Sequence, residues 1–524
     1  MSMMWGKLLN DTRIRNLNDK SAYKPNKGNN IFDDHRNEFE RDYDRINNSS
    51  AVRRLQDKAQ VYPLQSNDFI RTRLTHSMEV SSIARSLGNF LERYLIENEK
   101  IDFSEIHQGK IPSLLASAAL VHDIGNPPFG HYGEDVIKAW FANEKNKERV
   151  REWIFECLGN EEDANNQFSL IISDYQSFDG NAQGLRVLNN LQYFKDDFGL
   201  NLTVGTLSSL LKYPFDSSHA FAKEKQKFGY FSSDKLLIES IKRETLGDLE
   251  CTFRNPLTFL LEAADDIAYI GSDLEDGVKK GSIIWDKEFR HFVQSITQGE
   301  NILAYVKGEY EDIEILLNEN ELDSLKKIEL DHEKFIQEKH PDPMVASARS
   351  FKVWSQAILI SEVKKVFDEN YEKIMNGEFG DFSILKNPLN DGKKEFNHRE
   401  LIDCSPKASA LRKWMNGLLS QYCFVDSEVI TLELVGDRVI NDLLDVFLLE
   451  CMFKITNEET FKNKKVTKLY SLISDNIKFI NVGDKEIYEV SPYKKVQIVI
   501  DFISGMTDSY ALDLHQKLSG VKMP

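Results

Sequence analysis

Residues 120–134 read LVHDIGNPPFGHYGE, and the fold can be worked outward from them. His122 is preceded in helical phase by Leu115, Ala118 and Ala119, so its ring is expected on the inner stripe of a helix over 112–124. Gly125 and the Pro127-Pro128 pair stop that helix, which places His122 and Asp123 at a helix end facing a turn. Two other segments repeat the inward placement. His76 is followed in phase by Val80, Ile83 and Leu87, and Asp265 lies between Leu261 and Ala268 on the apolar stripe of a third helix. A lone polar group in such a position costs roughly 2–7 kcal/mol without a partner, and an ion costs more. A bound cation removes that cost. Two imidazoles and two carboxylates suit Mn, Mg, Fe, Co or Zn, and four protein ligands leave positions on a six-coordinate ion open for substrate and water.

Helical periodicity extends through most of the chain. It predicts helices at about 72–97, 112–124, 133–144, 180–191, 203–212, 234–246 and 256–277, with more beyond 345. The best strand signal is the run at 478–482, followed by 487–490 across Gly483-Asp484, which predicts one small hairpin near the C-terminus. The expected fold class is therefore mainly α. Residues 1–35, with Asn, Lys and Gly clustered at 24–30, read as a polar arm. Residues 36–290 read as the helical core, and 291–400 as a helical insertion whose stretch near 300–345 is dense in Glu, Asp and Lys. Residues 401–524 read as a helical region that completes the core and carries oligomer contacts.

The chain has 84 acidic and 66 basic residues among 524, a net charge of -18 that argues against a surface built wholly to hold a polyanion. A local basic pocket remains compatible with it. The five cysteines, Cys157, Cys251, Cys404, Cys423 and Cys451, are widely spaced with no CxxC pair, as suits reduced thiols. Without a leader-like N-terminus or a run of about 18 apolar residues, the expectation is a cytoplasmic chain with no membrane span.

The strings RTRLTHSMEV at 71–80, LVHDIGNPPFGHYGE at 120–134 and EAADDIAYIGSDLEDG at 262–277 resemble the deoxyguanosine triphosphate triphosphohydrolase family of HD-domain metal-dependent phosphohydrolases. DYDRINNSSAVRRLQDKAQVYPL at 42–64, GNAQGLRVL at 180–188, LKYPF at 211–215 and DFISGMTDSYAL at 501–512 extend the resemblance. It implies an HD helical core and hydrolysis of dGTP to deoxyguanosine and inorganic triphosphate, with a divalent metal, manganese or magnesium first among the candidates. On these motif positions His76, His122, Asp123 and Asp265 would hold the metal, and His131 and Glu134 would be the catalytic pair. The three-residue spacing of that pair lets the carboxylate orient the imidazole, although outside this context an HxxE is ordinarily a surface pair.

Arg73, three residues before His76, is expected near a phosphate at the metal, with Lys212 and Lys227 as candidates for the outer phosphates. Tyr269 and Asp273 follow Asp265 at four-residue intervals along one helical stripe. The resemblance implies that the ring packs on the deoxyribose and that Asp273 accepts from its 3′ hydroxyl. Gln60 and Val61 match positions placed against the sugar. The resemblance also implies homo-oligomers, hexamers among them, and a nucleotide or single-stranded DNA effector. Broad dNTP hydrolysis, a 5′-nucleotidase or phosphodiesterase, and a nucleotide or single-strand sensor are the competing readings. A P-loop NTPase is disfavoured because no GxxxxGK[ST] occurs.

Overall fold

The protein, seen in a computed structural model, is described over residues 3–17, 35–62, 70–98, 100, 109–192, 198–247, 252–385 and 394–522. Helix supplies nearly all the regular structure there. We label α1 Glu38–Asn47, α2 Arg73–Glu97, α3 Lys110–Val121, α4 Gly130–Ala142, α5 Gly180–Arg186 and α6 Pro256–Lys280. Beyond them lie β1 Ile302–Val306, β2 Glu309–Ile313, α7 Glu319–Gln337, α8 Pro343–Glu369, α9 Ser427–Leu444, α10 Pro492–Ser504 and α11 Asp508–Leu518. The helices expected between 72 and 277 are all present.

Local chemistry sets their ends. Thr72 caps α2 in a capping box with Thr75. Asn255 caps α6 ahead of Pro256 in its first turn, and Gly281, at φ 81°, ends it. Helices α2, α3 and α6 pack on one another around Val80, Ala84, Leu115, Ala118, Ala119, Leu261 and Ala268. They hold together the segments that carry His76, His122, Asp123 and Asp265.

Three parts differ from the sequence reading. The hairpin is not at 478–490: residues 475–482 form a helix and 487–489 a 3-10 turn. Asn481 on that helix accepts from Arg186 and donates to Asp501, so tertiary hydrogen bonding overrides the β propensity of the run. The described hairpin is β1–β2, inside the stretch read as helical, turning at Lys307-Gly308 with both φ positive, as a two-residue hairpin loop requires. Its inner face carries the buried Ile302 and Ala304, and helix resumes at α7. The insertion also contributes to the core, since Phe351 and Leu359 of α8 pack in the same cluster as α2 and α6.

The N-terminal arm is likewise no mere arm. Met3, Trp5, Leu8, Leu9 and Ile14 are buried, and Trp5 Nε1 donates to the Tyr371 hydroxyl at 2.9 Å. The Asn, Lys and Gly cluster at 24–30 lies outside the described residues. At the other end, Val439, Leu444, Val499 and Ile503 share one apolar cluster with Phe129, Ile137 and Phe141. The C-terminal helices thus close directly on the segment that follows the His122-Asp123 turn.

A buried ionic network fastens the same junction. Arg186, 4% exposed, donates to both oxygens of Asp501 at 2.7–3.0 Å, to Asn481 at 2.8 Å and to Asp234 at 3.4 Å. Removing one partner of such a buried set typically costs about 3–5 kcal/mol. Arg186→Ala is expected to lower the chemical-denaturation stability by that amount, and a loss under about 1 kcal/mol would show that the network is dispensable.

A candidate metal centre beside an acid–base pair

Three helices converge on four ligand-type side chains. Asp265 Oδ1, from α6, lies 3.0 Å from His76 Nε2 on α2 and 3.3 Å from His122 Nε2 at the end of α3. His76, His122 and Asp123 have ligand atoms within 4.8 Å of one another. The ring of His122 is oriented by its Nδ1, which donates to the Ala119 carbonyl at 2.7 Å. That leaves His122 Nε2 buried with no hydrogen-bond partner. An orphaned imidazole nitrogen facing two carboxylates fits a divalent cation, and the mixed nitrogen and oxygen set is one that Mn, Mg, Fe, Co or Zn accepts.

Asp123 is held from two further sides. Arg73 Nη1 donates to Oδ2 at 2.6 Å and Asn126 Nδ2 to Oδ1 at 2.8 Å. Gly125 lets the turn lie directly against α5, because a Cβ there would fall 2.0 Å from the Gly184 nitrogen and 2.2 Å from the Gly180 carbonyl. Gly130, at φ 63°, has the guanidinium of Arg73 where its Cβ would stand, at 2.5 Å. Arg73 therefore lies between Asp123 and the backbone that leads to His131.

His131 and Glu134 form a second constellation at the start of α4. The His131 ring is largely exposed, with Nδ1 a long 3.5 Å from Oε2 of the buried Glu134, and such contacts commonly tighten only around substrate. Glu134 is fixed more firmly. Its Oε1 accepts from the Gly180 amide at 2.9 Å, and its Oε2 lies 3.3 Å from Lys227 Nζ. Burial opposes its ionisation, but Lys227 and His131 prevail and hold the carboxyl well below the usual range.

The remaining expected residues divide. Asp273 is 1% exposed and neither carboxylate oxygen has a partner, so burial first and Asp276 second push its pKa far up. Gln60 Oε1 is also buried without a partner. Buried polar atoms of this kind are ordinarily met by an ordered water, an ion or a ligand group. Tyr269 and Val61 pack half-buried against the core that carries Asp273. Lys227 stands at Glu134, and Lys212 stands 3.7 Å from Glu262 and over the ring of Tyr213.

The HD domain family matches residues 73–183, which carry His76, His122, Asp123, His131 and Glu134, and the phosphohydrolase-associated domain matches residues 437–517. A deoxyguanosinetriphosphate triphosphohydrolase-like protein of Listeria innocua is 37% identical over 532 residues, covering 99% of this chain and 100% of that one. The chain belongs to the deoxyguanosinetriphosphate triphosphohydrolase family of HD-domain phosphohydrolases. A deoxyguanosinetriphosphate triphosphohydrolase-like protein of Pseudomonas aeruginosa is 33% identical across 93% of this chain and 95% of its own. A deoxyguanosinetriphosphate triphosphohydrolase of Serratia proteamaculans is 29% identical across 92% and 93%.

Within this HD phosphohydrolase, sequence reasoning assigned no role to Asn126, Asp179 or Gly180. Asn126 fixes the Asp123 carboxylate, and Gly180 supplies the amide that fixes Glu134. Asp179 caps α5 at that point and lies 3.8 Å from Lys227. The available signal was Asp179 directly before a helical run, an N-cap pattern.

Protonation gives a test of the cluster. Burial alone would lower the His122 pKa, but the Asp265 and Asp123 carboxylates outweigh it and raise it to about 9 from 6.5. The folded, metal-free protein thus holds this proton more tightly than the unfolded chain. The resulting stabilisation is complete below about pH 6.5 and lost as pH rises through about 9. Chelated protein is expected to lose thermal stability across that window, whereas excess divalent metal, which needs the neutral imidazole, should flatten the decline. A flat profile in the chelated protein would contradict the arrangement.

Proposed function

We propose that the protein hydrolyses dGTP to deoxyguanosine and inorganic triphosphate, using a divalent metal, manganese or magnesium, held by His76, His122, Asp123 and Asp265. The observation that carries this reading is the ligand cluster lying one tight turn from an oriented His131–Glu134 pair. When bound, the cation would polarise the α-phosphate and lower the pKa of a coordinated water. Overall, a water oxygen joins the α-phosphorus, the bond to the 5′ oxygen breaks, and a proton reaches that oxygen. His131 is the proposed donor, with Glu134 orienting it. Arg73, already turned toward Asp123, is placed to meet phosphate charge, and Lys212 and Lys227 are the candidates for the outer phosphates.

Sugar recognition in this proposal uses the buried groups that lack partners. Asp273 would accept from the 3′ hydroxyl and Gln60 would meet a donor from the sugar, with Tyr269 and Val61 as the apolar wall. Broad dNTP hydrolysis is the close variant, because these contacts recognise deoxyribose and none of them reads a base. A 5′-nucleotidase would present the same 3′ hydroxyl to Asp273, so the released product, orthophosphate or triphosphate, separates the two readings.

The proposal extends to a cytoplasmic homo-oligomer, a hexamer among the forms, for which exposed Val425, Ile430 and Leu434 offer an apolar face. Among the described residues, no helix is long and apolar enough to cross a membrane. A nucleotide or single-stranded DNA effector has support in a 1210 Å³ cleft lined by Arg45, Arg53 and Arg54. Their hydrogen bonds go to the carbonyls of Leu200, Asn48 and Gly505.

Product identity tests the central claim. Metal-reconstituted protein incubated with each dNTP and with GTP should yield triphosphate and deoxyguanosine from dGTP on ion-exchange chromatography. Equal turnover of all four dNTPs would support the broad variant, and orthophosphate or pyrophosphate would refute the chemistry. Glu134→Gln should lower kcat by roughly 10²–10⁴-fold, the usual worth of acid–base catalysis, with bound metal unchanged. For the effector, Arg53→Ala/Arg54→Ala should weaken binding of a fluorescent oligothymidylate and reduce its salt dependence, and unchanged anisotropy titrations would exclude this cleft.

A further inference from the structure

Asp508 opens α11 in the C-terminal region, 2% exposed, and its carboxylate bridges two distant backbone amides. Oδ1 accepts from the Phe129 amide and Oδ2 from the Ala59 amide, both at 2.9 Å. Each amide belongs to a segment that leads into the candidate site. Phe129 stands two residues before His131, and Ala59 stands one before Gln60 and bridges to Thr72, the cap of α2.

Phe129 adopts φ 61°, a left-handed conformation that a bulky L-residue keeps only where its surroundings enforce it. Two contacts from the C-terminal region enforce it here. Asp508 takes its amide, and Gly436 of α9 receives its ring so closely that a Cβ at 436 would fall 2.7 Å from the ring carbon Cγ. Lys58 adds a third tie. Its buried Nζ donates to the carbonyls of Asn126 and Ser504, and its own carbonyl accepts from the Arg73 amide at 3.0 Å. The turn from Asn126 to Gly130 is therefore braced from the far side by residues 504 and 508, within the matched phosphohydrolase-associated segment.

We infer that Asp508 is a positioning residue for catalysis, holding the left-handed Phe129 so that Gly130 stays packed on Arg73 and His131, the next residue, stays within reach of Glu134. The associated segment thereby acts on the chemistry while touching neither metal nor substrate. This inference rests on the role proposed for His131.

Asp508→Asn is the test, because the amide keeps one acceptor and turns an N–H donor toward the other backbone N–H. Misplacing a reacting group by about 1 Å can cost on the order of 10²-fold. The expected result is a kcat about tenfold to hundredfold lower with metal per chain unchanged, and KM moves only as far as the loss at the Ala59 amide disturbs the neighbouring Gln60. Gly436→Ala, which leaves the carboxylate intact and presses on the Phe129 ring, should give the same pattern, and it supplies the readout should Asp508→Asn fail to fold. His131→Ala, alone and combined with each variant, separates the causes. Positioning through His131 predicts no further loss of kcat in the combined variant. Wild-type kcat in the variants, or an equal fold-loss with and without His131, overturns the inference. If His131→Ala alone retains full activity, the proposed role of His131 fails instead, and any loss in Asp508→Asn must then run through another group.

Discussion

One carboxylate oxygen organises the centre of this molecule. Asp265 Oδ1 meets imidazoles from two other helices, and the desolvation of so many charged or polar groups at one point is tolerable only because they face each other. Burial would raise the Asp265 pKa, yet His122 and His76 hold it well below the usual carboxylate range. The packing of α2, α3 and α6 can be read from the same requirement. Three apolar stripes must each bring one polar side chain to the same point, with His76 fully buried and Asp265 at the open edge, which constrains how the helices register against one another.

The second constraint is the backbone that leaves this point. From Gly125 to His131 the chain has almost no lateral freedom, with Gly180 and Gly184 on one side, Arg73 on another, and Asp508 and Gly436 behind. This geometry explains why a segment more than 300 residues downstream shares a core with Phe129 and Ile137. A proposed ligand set on rigid helices needs a turn of equal rigidity to carry the proposed acid–base pair.

Much of this was legible before any coordinates. Helical phase placed His76, His122 and Asp265 inward, and Gly125 with Pro127-Pro128 located the turn, because periodicity and breakers are local signals. The ordered motifs named the family. What stayed hidden was nonlocal. Nothing near residue 481 announces that Asn481 will serve Arg186 and Asp501 and so remain helical. Trp5 looked like part of a polar arm because its partner, Tyr371, is distant in sequence. Lys307-Gly308 was a readable turn, obscured by the Glu-rich context on either side.

The seat of Arg73 has an electrostatic consequence. With both imidazoles neutral, the two ligand carboxylates are offset in part by its guanidinium, so that a bound dication would leave the centre with a net positive charge. Lys227 meanwhile balances Glu134. In a chain of net charge -18, such a centre and the arginine-lined cleft would be local exceptions to the acidic surface. A highly charged anion would be drawn to them more strongly at low ionic strength than at high.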